Sequence, residues 1–315
     1  MKRPLVSAIM PAYNQVDFVG EAIRSAVDQD YANLQVIVSD DGSTDGTVDI
    51  ILDWARRYPD RVIPIVREGH LGVTDNCNRA LDRCRGELRA FHAGDDLWLP
   101  GKVSIQVAWF EEDSRRVLCG HDVEVFDSET GQPMFRWSEH QDPPSGDDAR
   151  LFVRQGNPWH PLGNMARADV IPASGYDGRI PLASDWKFFI DCVARGGAFG
   201  HVPGVYARYR SWKGNVSRRR EQMWADLFST LDLVAVEYPW LADACLEYRS
   251  SALHAHGVEL VSGGSLSEAR ARFVGSAVLR PWTRRGIAWL AIAALPTPIA
   301  DRALAIWWRQ YGQGK

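Results

Sequence analysis

Asp95 and Asp96, in the stretch FHAGDDLWLPGKV, are adjacent carboxylates directly after a short apolar run. If that run is a strand, the pair lies at the carboxyl end of a sheet, where α/β proteins bind ligands. Hard oxygen donors in that position suit a divalent cation such as Mg²⁺, which takes one or two carboxylates and completes its shell on substrate phosphate oxygens. A solvated turn ahead of a helix is the plainer account of the same two residues. A second acidic turn, SDDGSTDGT from Ser39 to Thr47, ends an earlier apolar run in the same way. Two acidic strand ends in one domain point to a nucleotide-diphosphate site. Asp40 and Asp41 can accept the N3–H of uracil or a ribose hydroxyl through charge-assisted hydrogen bonds. Equally, Asp-Gly after a strand is a turn signal, and Asp45 can simply cap a helix.

The positioning elements follow from periodicity. Val6 to Met10 reads as a buried strand, and it ends at Pro11-Ala12-Tyr13-Asn14 because proline removes a ladder donor. That loop either buries a structural tyrosine or packs Tyr13 near a base and offers backbone groups to it. Val19, Ala22, Ile23, Ala26 and Val27 then repeat as one helix face. Leu34–Ser39, Val62–Val66 and Leu88–Phe91 are further strands, separated by helices over Val48–Ala55 and Val73–Cys84, the latter closed by Gly86. This βαβαβαβ order predicts a parallel, doubly wound sheet. After Pro100 come a helix to about Glu112, short alternating segments such as Val117–Phe126, and a polar loop or ribbon, DSETGQPMFRWSEHQDPPSGDD. GNPWHPLGNMARADVI reads as extended, Trp186–Ala194 as helix and Gly200–Arg210 as strand. Beyond Arg218 the chain is mostly helical, with a hairpin over Val258–Leu279 around Gly263-Gly264.

The 315 residues hold one large core or a domain plus an appendage. A net charge of -4 gives no long-range attraction to nucleic acid. Five scattered cysteines without CxxC or zinc spacing indicate reduced thiols in a cytosolic compartment. No signal-peptide core or run of ~20 apolar residues is present. The histidines His70, His92, His121, His140, His160 and His201 show no HExxH-like spacing and read as structural or acceptor-side polar groups.

Taken in order, VSAIMPAYNQ, SDDGSTDGT, the GVTDNCNRAL–RGE stretch and GDDLWLPGK resemble the nucleotide-sugar domain of family 2 glycosyltransferases, over about residues 4 to 218. The resemblance implies the GT-A fold: α/β, Rossmann-like, with a mostly parallel central sheet flanked by helices and a C-terminal helical appendage. It implies a catalytic domain over 1–217, with nucleotide-sugar binding in 1–100 and the acceptor side in 101–217, and a helical region over 218–315. Pro11, Ala12, Tyr13, Asp40, Asp41, Asn78 and Asp95 would then bind the nucleotide sugar, and Asp96 would hold Mn²⁺ or Mg²⁺ on the diphosphate. GYDGRIPLASDWKFF resembles the acceptor-side motif, with Asp185 at the catalytic base, and VYARYRSWKGNVS resembles the motif that closes the domain. The implied activity is inverting transfer from a nucleotide-diphosphate sugar to a saccharide or lipid-linked saccharide, in cell-surface polysaccharide or glycolipid synthesis. Uridine is the favoured base, with thymidine and guanosine open.

The chain departs from the family pattern at four places. Cys77 stands where many relatives have arginine, Ala93 where the fuller acidic motif has aspartate, Ser184 before the base aspartate, and Trp212 where histidine is common. A sugar nucleotidyltransferase is the nearest rival, but PAYNQVDF lacks its Gly-rich, basic phosphate loop. A non-catalytic sugar- or nucleotide-binding protein is the other, and retention of Asp41, Asp96 and Asp185 argues against it. The Asn215-Val216-Ser217 sequon means little in a cytosolic protein. Arg218, Arg219 and Arg220 read as a solvated helix start or as a grip on phosphate or anionic lipid. Residues 284–315 mix arginine with Trp289, Trp307 and Trp308, and Pro296 and Pro298 interrupt them. That composition suits either an interfacial helix on the inner face of the plasma membrane or a helix packed on the domain.

Overall fold

The computed structural model describes residues 3–139 and 143–281, with scattered positions from 291 to 306. Two compact units are present, Met1–Thr230 and Leu231–Lys315. His140 and nearly all of the segment 284–315, including Trp289, Trp307 and Trp308, lie outside the described residues.

The first unit begins with β1 (Val6–Ala12), α1 (Val19–Val27), β2 (Leu34–Asp40), α2 (Thr47–Arg57), β3 (Val62–Ile65), α3 (Val73–Asp82) and β4 (Leu88–Phe91). These four strands pair in parallel in the order β3-β2-β1-β4, as the alternating pattern predicts. β2 is buried along its whole length, Ser39 and Asp40 included. Strand β1 does not stop before Pro11: it continues through Pro11 and Ala12, opposite Ser39 and Asp40. The proline is tolerated because its missing N–H would point toward β4, whose ladder on β1 ends at Phe91. On that side the Pro11 carbonyl accepts the Gly94 N–H at 3.0 Å. Helix α3 ends at Asp82 rather than running to Gly86. Gly86 instead lets the chain pass the strand edge, since a Cβ there would lie 2.5 Å from the Leu5 carbonyl oxygen.

The later half of the unit is mixed. It contains β5 (Leu97–Trp98), α4 (Lys102–Glu112), β6 (Arg116–Asp127), β7 (Pro133–Arg136), α5 (Ala149–Arg154), β8 (Met165–Arg167), α6 (Asp185–Ala194) and β9 (Ala198–Ser211). The sheet continues β4-β8-β6-β9-β5, with β7 on β6. β8 runs antiparallel to both β4 and β6, β6 and β9 are parallel, β5 is antiparallel to β9, and β7 is antiparallel to β6. The segments around Val117–Phe126 are therefore one long strand, buried over most of its length. The polar stretch forms a ribbon through β7. In GNPWHPLGNMARADVI only Met165–Arg167 is strand, because Pro161 starts a single 3₁₀ turn just before it.

α7 (Arg220–Glu237) is followed in the second unit by α8 (Ala242–Ser262) and α9 (Leu266–Leu279). The predicted hairpin turns at Gly263-Gly264, with Gly264 at φ +81°, and its first helix starts earlier, at Ala242. Phe273 packs on Gly257, where a Cβ would meet its ring at 2.7 Å. Ser250 and Ser276 exchange side-chain to backbone hydrogen bonds at 2.9 and 2.7 Å. No helix among the described residues is long and apolar enough to cross a membrane.

One core residue of the first unit is out of place chemically. Lys102 is fully buried, with Nζ 2.8 Å from Gln106 Oε1 and 4.5 Å from the Trp98 ring centre. Burial brings its ammonium from 10.5 down to about 7. The unfolded chain holds the extra proton between those values, so this residue makes stability rise with pH across that window and costs most at and below neutrality. Lys102→Met should therefore raise the urea midpoint at pH 7 by the equivalent of about 1–3 kcal/mol. The gain should shrink toward pH 10, as read by denaturation at both pH values.

Candidate active site

The first acidic turn is held by its own carboxylates. Asp40 is buried and accepts the Gly42 and Ser43 N–H groups at 3.0 and 2.9 Å and the Ser43 hydroxyl at 2.5 Å, which shapes the turn. Asp45 accepts Thr47 N–H at 3.0 Å and Val16 N–H at 3.1 Å. It stands one residue before the Gly46 cap position of α2, so it ties the turn to the β1 loop as well as opening the helix. Asn14 completes the junction: its N–H reaches Ser43 Oγ at 2.8 Å and its Oδ1 accepts Thr44 N–H at 2.9 Å. The loops after β1 and β2 are thus stitched into one surface, on which Tyr13 is exposed.

Asp41 lies beneath that surface, 1% exposed. Its backbone N–H donates to the Ala12 carbonyl at 3.0 Å. The carboxylate accepts Leu71 and Gly72 N–H groups at 3.0 and 2.8 Å. His70 Nδ1 is 2.7 Å away, and Arg67 is 3.9 Å away. The His70 ring stacks on Tyr13.

The second acidic turn begins at Gly94, whose N–H bonds Pro11. It runs directly into β5, and β5 pairs with β9 through Leu97↔Arg208. That pairing brings the end of β9 onto the two aspartates. Arg210 donates its backbone N–H to Asp96 Oδ1 at 2.9 Å and its Nε to the Asp95 carbonyl at 2.8 Å. Trp212 Nε1 donates to Asp95 Oδ2 at 2.8 Å, and Asn215 Nδ2 reaches the same oxygen at 3.4 Å. Burial raises the pKa of Asp95, against the Trp212 hydrogen bond, which lowers it. Burial and then the Asp95 charge hold Asp96 well above the ordinary carboxylate range.

Asp185 is the first residue of α6, with Ser184 at the cap position. The helix therefore starts one residue earlier than Trp186, and Asp185 is not its N-cap. Its Oδ2 accepts Asn157 Nδ2 at 3.0 Å. Burial raises its pKa; hydrogen bonds from Trp186 N–H and Asn157 oppose this, and the Asp226 charge adds to it. The preceding segment is fixed from two sides. Ser184 Oγ is 2.8 Å from Thr74 Oγ1 on α3, and buried Asp226 on α7 accepts Leu182 and Ala183 N–H groups at 2.9 and 2.8 Å.

A continuous path of hydrogen bonds and short chain segments thus runs from Asp96 through Gly94 and Pro11-Ala12 to Asp41. From there it passes through Gly72 and Thr74 to Ser184 and Asp185. Cys77 sits within reach of two of these carboxylates: its thiol is pushed up to about 12 by burial, then by Asp185 and Asp41, so it is neutral there. Asn78 is directed elsewhere, with both ends of its amide on the Tyr176 backbone at 2.9 and 2.7 Å. His70, Asn157, Arg210 and Asp226 had no signal in motif spacing, because each joins the site through a partner remote in sequence. Trp212 was visible only as a departure. Its indole N–H is a donor with no acceptor, so it binds a carboxylate and offers no lone pair to a metal ion.

Among the described residues no group of three or more His, Cys, Asp or Glu side chains gathers around a common point. The chemistry of Asp95 and Asp96 nonetheless fits a divalent cation. They are adjacent buried carboxylates whose pKa values are raised by burial and, at Asp96, by the Asp95 charge, and no second donor among the described residues reaches Asp96. Mg²⁺-type sites use one or two such groups and leave the remaining positions to water and substrate oxygens.

A mixed sheet of this order, with acidic ends on β2 and after β4, is the GT-A glycosyltransferase fold. Staphylococcus aureus TarS residues 1–349 in complex with UDP superposes with a TM-score of 0.61 at 18% identity, over 97% of this chain and 91% of that one. The Pyrobaculum calidifontis mannosyltransferase PcManGT, in complex with GDP-Man and Mn²⁺, gives 0.60 at 18% identity, over 99% and 89%. The chain belongs to glycosyl transferase family 2, whose family model matches residues 7–167, and it is an enzyme of that family. An uncharacterized Mycobacterium tuberculosis protein is 37% identical over 73% of this chain and 68% of its own length. The putative teichuronic acid biosynthesis glycosyltransferase TuaG of Bacillus subtilis is 35% identical over 36% of this chain and 44% of its own length.

Asp226→Ala tests the support under Asp185. Two half-buried N–H groups would lose their acceptor, at a cost of up to about 1–3 kcal/mol each. Thermal unfolding should shift down, and glycosyltransferase turnover should fall about tenfold or more, since a small displacement within a site costs on this scale. Turnover that is unchanged would show that Asp185 needs no such support.

Proposed function

We propose that this chain transfers a sugar from a nucleoside-diphosphate sugar, with uridine as the favoured base, to a hydroxyl of a saccharide or lipid-linked saccharide, inverting the anomeric centre. The single observation that carries this reading is the bonded path joining Asp41, the Asp95-Asp96 turn and Asp185. In this reading Tyr13 and Asp41 serve the base, with Pro11, Ala12 and Asp40 holding that surface in shape. Asp95 faces the ribose or donor sugar. Asp185 takes the proton of the acceptor hydroxyl as its oxygen bonds to the anomeric carbon and the bond to the diphosphate breaks. General-base help of this kind contributes about 10²–10⁴-fold.

Asp96, with Asp95 beside it, would hold Mn²⁺ or Mg²⁺, which supplies charge neutralisation for the leaving diphosphate oxygens. Cys77 contributes no cation to the diphosphate, so Arg210 is the buried positive charge nearest the acidic pair, tied also to Glu21 at 2.7 Å. The neighbours bound to UDP, UDP-GlcNAc and GDP-Man with Mn²⁺ support a nucleotide-sugar donor. The name of the Bacillus subtilis relative supports a role in cell-surface polysaccharide synthesis.

Asp185→Asn should reduce sugar transfer or donor hydrolysis by about 10²–10⁴-fold while UDP still binds by calorimetry. Asp96→Asn should instead abolish the dependence of UDP binding on Mn²⁺. Transfer that survives both changes would defeat the assignment. Because the Asp185 pKa is raised, a base that must be deprotonated places the acid limb of the rate profile above the ordinary carboxylate range of about 4. An acid limb at or below that range would show that another group limits the rate.

A further inference from the structure

His70 makes within the chain both contacts that the proposed function gives to a donor base. Its ring centre lies 4.2 Å from that of Tyr13, with the planes inclined by 30°, and Nδ1 is 2.7 Å from Asp41 Oδ2. A flat ring with one face on the tyrosine and an N–H aimed at the carboxylate is the arrangement a pyrimidine offers through N3–H. The backbone donors of Leu71 and Gly72 already occupy one position on each carboxylate oxygen. His70 fills a remaining one. With Asp41 only 1% exposed, a base has no route to it while the imidazole stays in place.

The His70 ring can leave while its segment stays. Gly69 and Gly72 flank it at φ +78° and +107°, and Glu68, Gly69, His70 and Leu71 are all exposed. The His70 side chain is itself 49% exposed, so swinging outward uncovers little apolar surface. Gly42 holds the segment against the acidic turn, for a Cβ on Gly42 would lie 2.6 Å from the Gly69 carbonyl oxygen. The loop is thus seated on the turn by backbone contact and by the Leu71 and Gly72 N–H groups on Asp41, and the His70 side chain is its exposed tip.

We propose that His70 is an internal stand-in for the donor base, occupying the base slot of the free protein and withdrawing when a nucleoside diphosphate enters. It is a determinant of donor affinity, and it rests on the nucleotide reading above. Apparent affinity falls by the fraction of molecules whose slot is open, so removing the ring removes that penalty.

Calorimetry of UDP and GDP binding to the full chain in Mn²⁺ buffer, with wild type and His70→Ala, tests the idea. His70→Ala should bind UDP about 3–10-fold more tightly. As a second measurement, the His70 ring protons of the free wild-type protein should be shifted upfield by Tyr13 in NMR spectra. They should lose that shift in Tyr13→Leu and, in wild type, at saturating UDP. Equal or weaker UDP binding by His70→Ala, or ring signals that stay shifted at saturation, would overturn the proposal while leaving a nucleotide-binding enzyme. Failure of both nucleotides to bind either protein would remove the nucleotide reading as well.

Discussion

Backbone N–H groups donating to buried aspartates organise the region from β1 to α3 of this enzyme. A carboxylate removed from water is costly unless its oxygens are satisfied. Asp40 and Asp41 meet that requirement by drawing in neighbouring turns: Asp40 closes its own and Asp41 captures the loop before α3, while the exposed Asp45 ties in the β1 loop. The same bonds that satisfy each charge therefore fix the loops that form the cleft. Charge burial and loop placement are one constraint, and α3, with the Thr74 contact to Ser184, inherits its position from it.

The Asp95-Asp96 pair is treated differently. Its donors are few for two adjacent buried charges, and the surrounding cation, Arg210, is shared with Glu21. Burial leaves both carboxyls with raised pKa values, whereas the first turn is saturated. That contrast separates a structural use of aspartate from an acidic pair with few donors, the pair to which the proposed function gives a dication and a pyrophosphate.

Legibility in the sequence followed the range of the interactions. The strands and helices up to Phe91 were readable because each is a local period, and the parallel order follows from their alternation. In the mixed half α4, α6 and β9 were readable but the sheet order was not, because β8 is three residues long and earns its place only by lying between β4 and β6. Pro11 misled for a related reason: its effect depends on where a neighbouring strand ends, which no local rule contains. In the site, the acidic residues announced themselves by adjacency and glycine context. His70, Asn157, Arg210 and Asp226 did not, since their partners are fixed only when the sheet has formed.

Asn215 shows how a short sequence signal can conflict with tertiary structure. Its amide is buried, bonded to Asp95 and accepting the Trp212 N–H at 2.6 Å, yet it heads an Asn-Val-Ser tripeptide. An oligosaccharide on that nitrogen would replace one of the two hydrogens of an amide that now reaches Asp95, and the turn after β9, closed around it, would have to open to hold the glycan.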